Sequence, residues 1–190
     1  FYHIPGLRVV MPSTPYDAKG LLTHSLRQDH PVMFLEHKHL YMTKGMVPEE
    51  DYEIEFGKAE VMTEGDDVTI VAWSHMLLKA MEAAETLAAE NIRAEVINLR
   101  TLSPLDTDTI MTSVAKTNRV VIAQEAVRRG GVASDIASYI HQKEFYSLDA
   151  PIEIVAGLNI PIPFNLNLEK ASVPQADDIV AAAKRTLEHA

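Results

Sequence analysis

The sequence predicts an α/β fold in which an open, mostly parallel sheet is covered by helices. In the stretch Asp67–Trp73, the residues Val68, Ile70, Val71 and Ala72 are apolar on both faces, which is typical of a strand buried on both sides in a parallel sheet. Ser74 stands where it can cap a following helix. That helix is predicted over residues 75–90 from apolar residues on one helical stripe: Leu77, Leu78, Met81, Ala84 and Ala88. Strand and helix patterns then alternate to the end of the chain, as in right-handed βαβ units.

Before this region lies a smaller βαβ pattern over residues 7–35. Leu7–Met11 is predicted as a strand, and Thr14 with Pro15 begins a helix that runs to about Gln28. Pro31–Leu35 is the next predicted strand. The stretch Glu36–Glu55 has no clear periodicity, so we interpret it as a linker between domains.

The remaining elements follow from the same patterns. Gly57–Met62 alternates weakly and suits an edge strand, whereas Arg119–Ala123 is a second buried strand. The other predicted strands are 94–99 and 152–155, and the other predicted helices begin near Asp106, at Gly130-Gly131 and before Ile179. Residues 161–164 are predicted to form an extended loop.

Composition excludes several classes of function. The formal net charge is −10 and Lys and Arg do not cluster beyond Arg128-Arg129, which disfavours nucleic acid or an anionic membrane as a partner. With no cysteine, disulfides and thiol chemistry are excluded, and a reducing compartment is expected. No apolar run reaches the roughly 20 residues of a membrane span, and no signal peptide is visible. Because the chain opens on Phe1, we expect it to be part of a longer protein.

Two glycines and two arginines form one candidate anion site. Gly130-Gly131 before a helix can cradle a phosphate, because free N–H groups point outwards there. A lone glycine pair without a longer motif more often serves a tight turn and close helix packing, which is the interpretation we favour. The adjacent Arg128-Arg129 suits an anionic partner or an ordinary solvated surface.

Histidines and strand-end charges form the other candidates. His37 and His39, with Glu36, could ligate a metal, but they have a two-residue spacing in a flexible linker and no third ligand is expected nearby, so surface histidines are expected. Arg100-Thr101 stands at the carboxyl end of a predicted strand, where open α/β sheets bind ligands. We favour a structural role for Arg100, paired with an acid such as Glu125. The role of Glu125, catalytic or loop-fixing, stays open, and no Ser-His-Asp order or H-E-x-x-H motif is present.

Several ordered strings resemble one family. They are Ile4–Val10, Pro15–Leu22, Pro31–His37, Val96–Asp106, Gln124-Glu125-Ala126 with Gly130-Gly131, and Leu148–Pro151. They look like the beta subunit of thiamine-diphosphate-dependent 2-oxoacid dehydrogenases, which serves the pyruvate, branched-chain oxoacid and acetoin complexes. The resemblance covers nearly the whole chain.

The resemblance implies a domain organisation and a reaction. Residues 1–36 would be the remnant of the domain that binds the thiamine pyrimidine, 37–55 the linker, and 56–190 a transketolase-like carboxyl-terminal domain. The implied activity is oxidative decarboxylation with acyl transfer to lipoyl groups. Thiamine diphosphate and magnesium serve the complete enzyme and are not expected on this chain, because the family's activating glutamate and active-site histidine loop would lie before Phe1. No catalytic or cofactor-binding residue is therefore assigned.

The resemblance also implies a metal site and partners. A potassium ion would lie near the end of the first helix, at Ser25, Leu26, Gln28 and His30, although the family often has Asp and Asn at the last two positions. The implied partners are the alpha subunit, a second beta subunit in an α2β2 tetramer, and the dihydrolipoyl acyltransferase core. A cytoplasmic location is expected, or the mitochondrial matrix in a eukaryote.

Two other functions remain open at this point. One is a stand-alone protein-interaction module that has the same fold. The other is the carboxyl-terminal domain of a different thiamine enzyme, such as transketolase or deoxyxylulose phosphate synthase.

Overall fold

The computed structural model describes residues 1–188 of the chain. Within that range the chain forms a five-stranded sheet and a three-stranded sheet, with helices on their faces. The strands are β1 (Arg8–Val10), β2 (Val32–Phe34), β3 (Glu60–Thr63), β4 (Val68–Ala72), β5 (Ala94–Asn98), β6 (Thr101–Ser103), β7 (Val120–Val127) and β8 (Glu153–Gly157). The α-helices are α1 (Pro15–Leu26), α2 (His75–Ala89), α3 (Thr107–Thr117), α4 (Val132–Glu144), α5 (Leu166–Ser172) and α6 (Ala176–Leu187).

The five-stranded sheet has the order β3-β5-β4-β7-β8 and is parallel except for β3. All five residues of β4 are buried, as its apolar pattern predicts. One face of the sheet packs against α2 and α6 and the other against α3 and α4. The predicted fold class, an open and mostly parallel sheet covered by helices, is confirmed, and so is the edge position of the strand that follows Gly57.

The strand order creates a switch point beside β4. The chain passes from β4 to β5 on one side, and later returns to place β7 on the other side of β4. At such a point the loops after the two strands diverge, and they leave a crevice outside the carboxyl ends of the strands. The segments that follow β4 and β7 therefore border this crevice.

The smaller sheet joins the two parts of the chain. β1 and β2 pair in parallel and are connected by α1, which matches the predicted βαβ unit. β6, which the sequence pattern does not predict, adds antiparallel to β1. Val9 packs into the core beside α3 and α4, so the first 35 residues share a core with the larger sheet.

Several helix starts follow local capping chemistry. Thr14 and Asp17 form a reciprocal capping box at α1, as expected from Thr14 and Pro15. Asp106 caps α3, accepting a hydrogen bond from the Thr109 N–H at 3.0 Å. The predicted cap at Ser74 is wrong, because its backbone has a φ of 53° and its side chain makes no cap hydrogen bond.

The stretch from residue 37 to 55 contains a short 3-10 helix at Lys38–Met42 and is otherwise irregular. α5 lies after the predicted loop and was not predicted. Across residues 1–188 no helix is both long enough and apolar enough to cross a bilayer. The final two residues of the predicted 56–190 domain lie outside the described range.

Candidate functional site

Four ionisable side chains meet at the crevice beside β4. His75 is the first residue of α2, directly after the β4 loop, and Glu125 lies in the last part of β7. His37 and His39 come from the irregular segment after β2. Three distant parts of the chain thus deliver three imidazoles and one carboxylate to one place.

Glu125 connects two of the rings. Its Oε1 lies 3.0 Å from His37 Nε2 and its Oε2 lies 3.2 Å from His75 Nδ1. The His37 and His75 rings stack with centroids 4.8 Å apart and planes 17° apart. His37 Nδ1 accepts a hydrogen bond from the His39 N–H at 3.2 Å, so Nε2 carries the proton that faces Glu125.

These contacts keep Glu125 ionised. The hydrogen bond from His75 has the largest effect on the Glu125 carboxyl, and partial burial opposes it. Together with the bond from His37, the result is a pKa of about 2 for Glu125. A carboxylate with this pKa carries its negative charge throughout the neutral range, beside two imidazoles.

The histidine cluster corrects the sequence-based expectation. One nitrogen of each of His37, His39 and His75 lies within 4.8 Å of the other two. The expectation that no third ligand lies near His37 and His39 is wrong, because His75 supplies one from 36 positions along the chain after His39. The available signal was positional, since His75 and Glu125 follow or end neighbouring parallel strands and so share one sheet edge.

Ser74 lies in the same crevice. It is 4% exposed, and its hydroxyl has no hydrogen-bond partner among residues 1–188. With His37, His75 and Glu125 it lines a cleft of about 310 Å³. A buried hydroxyl without a partner is unusual and is consistent with a site that accepts a polar ligand.

Arg100 has a structural role, but its predicted partner is wrong. Its Nε donates to Asp17 Oδ1 at 2.7 Å and its guanidinium also pairs with Glu60, rather than with Glu125. Asn98 donates to Asp17 Oδ2 at 2.8 Å and accepts from Ser13 Oγ at 2.8 Å. This buried network connects the start of α1 to the end of β5, and it explains why Arg100 points away from Glu125.

The glycine pair has a steric role. A Cβ on Gly131 would lie 2.2 Å from the Gln124 amide nitrogen, and Gly130 has a φ of 65°. The Gln124 side chain already accepts a hydrogen bond from the Ala133 N–H at 2.9 Å. This N–H at the start of α4 is therefore not available to bind a phosphate. The geometry supports the tight-turn interpretation. Arg128 and Arg129 are exposed, as on a solvated surface.

The residues of the predicted potassium site lie at the end of α1 and in the turn after it. Ser25 and Gln28 are partly buried, whereas Leu26 and His30 are exposed. The Ser25 carbonyl accepts from the Gln28 N–H at 3.3 Å, and Ser25 Oγ donates to the Leu21 carbonyl at 2.6 Å. No contact among these four residues tests potassium binding, and the site stays a prediction.

Comparison with known proteins gives relatives for the whole chain. The chain is 50% identical to the acetoin:2,6-dichlorophenolindophenol oxidoreductase subunit beta of Cupriavidus necator, over 99% of this chain and 56% of that protein. It is 48% identical to the pyruvate dehydrogenase E1 component subunit beta of Rickettsia felis, over 97% of this chain and 57% of that protein. The chain therefore spans a little over half the length of these relatives.

A solved structure and two family descriptions agree with these relatives. A split-gene transketolase, described as an inactive beta4 tetramer, superposes with a TM-score of 0.84 at 28% identity, covering 98% of this chain and 59% of that one. Residues 1–44 match the family described as transketolase, pyrimidine binding domain. Residues 57–179 match the family described as transketolase, C-terminal domain, and the chain belongs to that family.

Proposed function

We propose that this chain is the carboxyl-terminal part of the beta subunit of a thiamine-diphosphate-dependent 2-oxoacid or acetoin dehydrogenase. The observation that carries the proposal is the 50% identity to an acetoin oxidoreductase beta subunit over 99% of this chain. The complete enzyme would decarboxylate a 2-oxoacid oxidatively, or cleave acetoin, and pass the acyl group to a lipoyl partner. We propose residues 1–36, 37–55 and 56–190 as its pyrimidine-domain remnant, linker and carboxyl-terminal domain.

In this proposal, thiamine diphosphate and magnesium bind to the complete enzyme. Thiamine diphosphate supplies the carbanion chemistry, and a protein carboxylate must activate its aminopyrimidine. Asp17 and Glu36 of the first unit do not fit that role. Asp17 is fully buried against Arg100, and Glu36 is exposed and accepts from the Tyr41 hydroxyl at 3.1 Å. We therefore propose that this chain alone is inactive and contributes to assembly.

Assembly is supported by an exposed apolar surface. The segment between β8 and the end of α5 exposes six large apolar side chains, which we call the apolar loop surface: Leu158, Ile160, Ile162, Phe164, Leu166 and Leu168. Large apolar side chains that are exposed together in one segment are typical of subunit contacts. We propose that it packs in an α2β2 tetramer with a second beta subunit and the alpha subunit.

Two finer proposals concern other partners. The acidic balance of the chain suits a basic docking segment on the dihydrolipoyl acyltransferase core, which we place at α6 and the nearby loops. We also propose potassium at Ser25, Leu26, Gln28 and His30, because these residues line a turn that solvent reaches. A cytoplasmic location is proposed from the bacterial relatives.

Activity of the reconstituted enzyme tests the main proposal. The full-length protein is produced with its alpha subunit and assayed with pyruvate, a branched-chain oxoacid and acetoin, using 2,6-dichlorophenolindophenol as electron acceptor. We expect reduction of the dye with one of the three substrates, dependent on thiamine diphosphate. No turnover with any of them would contradict the proposal.

A transketolase remains the second candidate, because a split-gene transketolase superposes over 98% of this chain. Transfer of a two-carbon unit between sugar phosphates, without dye reduction, would support that candidate instead. Turnover with neither substrate class, and a start codon close to Phe1, would support a stand-alone interaction module.

A further inference from the structure

We propose that His37, His39 and His75 bind one divalent transition-metal ion of the Zn²⁺ class, with Glu125 as the positioning carboxylate. The proposal is independent of the dehydrogenase function, since it concerns the crevice beside β4 in the carboxyl-terminal sheet. Its basis is the convergence of three imidazole nitrogens within 4.8 Å of one another.

The ligand set selects the class of ion. Imidazole nitrogens suit Zn²⁺, Ni²⁺, Co²⁺ and Cu²⁺, whereas Ca²⁺ and Mg²⁺ prefer oxygen ligands. Three protein nitrogens with one further position open to solvent are the pattern of zinc sites that keep an exchangeable ligand. With no cysteine in the chain, thiolate ligation is excluded.

The three histidine nitrogens lie farther apart than they would around a bound zinc ion. Zinc–nitrogen bonds of about 2.0–2.1 Å in tetrahedral geometry bring the nitrogens to about 3.4 Å of one another. The three nitrogens lie within 4.8 Å, so the rings must approach on binding. His39 is exposed and belongs to the short 3-10 turn, and its side chain is therefore able to rotate towards the other two.

Glu125 supplies the supporting hydrogen bonds that metal-bound histidines require. A ligating imidazole commonly donates its second N–H to a carboxylate, which fixes the ring and its tautomer. With His75 Nδ1 facing Glu125 at 3.2 Å, Nε2 of that ring keeps a free lone pair. At His37 the ion replaces the Nδ1 contact with the His39 N–H, and the Nε2–H keeps its hydrogen bond to Glu125.

The surroundings leave room for a further ligand. His39, His75 and Glu125 line a cleft of about 230 Å³ that also touches Lys79. The Lys79 ammonium lies 3.2 Å from a Glu82 carboxylate oxygen, which reduces its repulsion of a cation. A bound ion would connect the segment after β2, the start of α2 and the end of β7, and would restrain the irregular 37–55 stretch.

Metal titration of the full-length protein tests the proposal. Chelator-treated protein is titrated with Zn²⁺ in a calorimeter, and with Co²⁺ while visible absorption is recorded. We expect one ion per chain and visible Co²⁺ bands that indicate nitrogen ligation. His39→Ala and His75→Ala should each weaken binding at least 10-fold, and Glu125→Gln should weaken it about 10- to 100-fold.

His141→Ala is the matched control, because His141 is an exposed histidine on α4 away from the cluster. It should leave the affinity unchanged. Circular dichroism verifies that each variant is folded, and the exposed position of His39 makes its variant the decisive one. Absent Zn²⁺ binding, or equal affinity of the His39, His75 and His141 variants, would overturn the proposal. Neither result depends on dehydrogenase activity. A failure of the metal-site proposal can therefore be distinguished from a failure of the proposed function.

Discussion

Arg100 connects the first unit to the end of β5 through a buried ion pair with Asp17. It is 8% exposed, and its carboxylate partner Asp17 is fully buried at the start of α1. Asn98 and the backbone N–H groups of Ser13 and Thr14 also donate to that carboxylate. A buried charge with this many donors depends on each of them, because water cannot replace a lost partner.

Arg100→Met should lower the free energy of unfolding by about 3–5 kcal/mol, because it leaves the Asp17 carboxylate buried without its countercharge. Urea-induced unfolding of the full-length protein, followed by circular dichroism, measures this loss. Arg93→Met is the matched control, since Arg93 pairs with Asp66 on the surface and both side chains are at least half exposed. The control should cost no more than about 1 kcal/mol. Equal losses in the two variants would show that the buried Arg100–Asp17 pair contributes no more to the free energy of unfolding than the exposed Arg93–Asp66 pair.

The histidine cluster shows what sequence reasoning at this scale misses. His37 and His39 were identified as possible ligands from their spacing, yet the third imidazole and the supporting carboxylate come from other elements. For Arg100, the structural role is predicted correctly and the acidic partner is not. In both cases the sequence indicates which element carries the side chain. The neighbours of that side chain depend on how strands and helices pack.

At the scale of elements, α3 shows how one carboxylate defines a helix start. Asp106 Oδ1 accepts from the Thr109 N–H at 3.0 Å, and Oδ2 accepts from the Thr109 hydroxyl at 2.7 Å and from the Ala59 N–H at 2.9 Å. Partial burial alone would raise the pKa of Asp106, but these hydrogen bonds outweigh it and lower the pKa. The cap thus also holds the segment before β3 against the helix.

Asp106→Asn should destabilise the protein in a pH-dependent way. The pKa of Asp106 is lower in the folded than in the unfolded chain, so its stabilisation is complete above the unfolded pKa of about 4 and is lost as the pH falls through the folded pKa. Asn keeps one acceptor oxygen but carries no charge. The loss should be about 0.5–2 kcal/mol at pH 7, because the charge at the helix N-terminus and one acceptor oxygen are lost, and it should shrink below about pH 4.

Urea unfolding at several pH values, from pH 7 down to the acid limit of the folded protein, measures that dependence. Asp108→Asn is the control, because Asp108 lies in the first turn of the same helix without being its cap. A penalty for Asp106→Asn that stays constant from pH 7 to pH 3 would contradict the prediction.

The elements that the sequence predicts well are those with long, one-sided or fully apolar patterns. β4 and α2 carry such patterns, and their predicted ranges agree closely with the observed ones. β6 and α5 were missed for a physical reason. β6 is three residues long and exists because β1 offers it an antiparallel partner, and α5 is a two-turn helix with two exposed leucines, Leu166 and Leu168. Short elements of this kind are determined by tertiary contacts that no local pattern records.

At the scale of the whole molecule, some apolar side chains are covered by other elements and some are exposed. The two faces of the larger sheet are filled by α2, α6, α3 and α4, whereas the apolar loop surface has no such cover among residues 1–188. Phe164 is fully exposed within it. Burial of a side chain of this size contributes about 1.5–3 kcal/mol, so a subunit contact at this surface would be strongly favourable.

Replacing Phe164 and Ile162 by Ser should therefore weaken the proposed α2β2 assembly while leaving the fold intact, because neither side chain contributes to the core of the chain itself. Sedimentation velocity of the full-length protein mixed with its alpha subunit, over a range of concentrations, should show a shift from the proposed α2β2 tetramer towards smaller species, and circular dichroism should be unchanged. Met46→Ser is the matched control, since Met46 is 93% exposed in a different segment and should leave the distribution as it is. Tetramers of unchanged stability in the double variant would place the subunit contact elsewhere on the molecule.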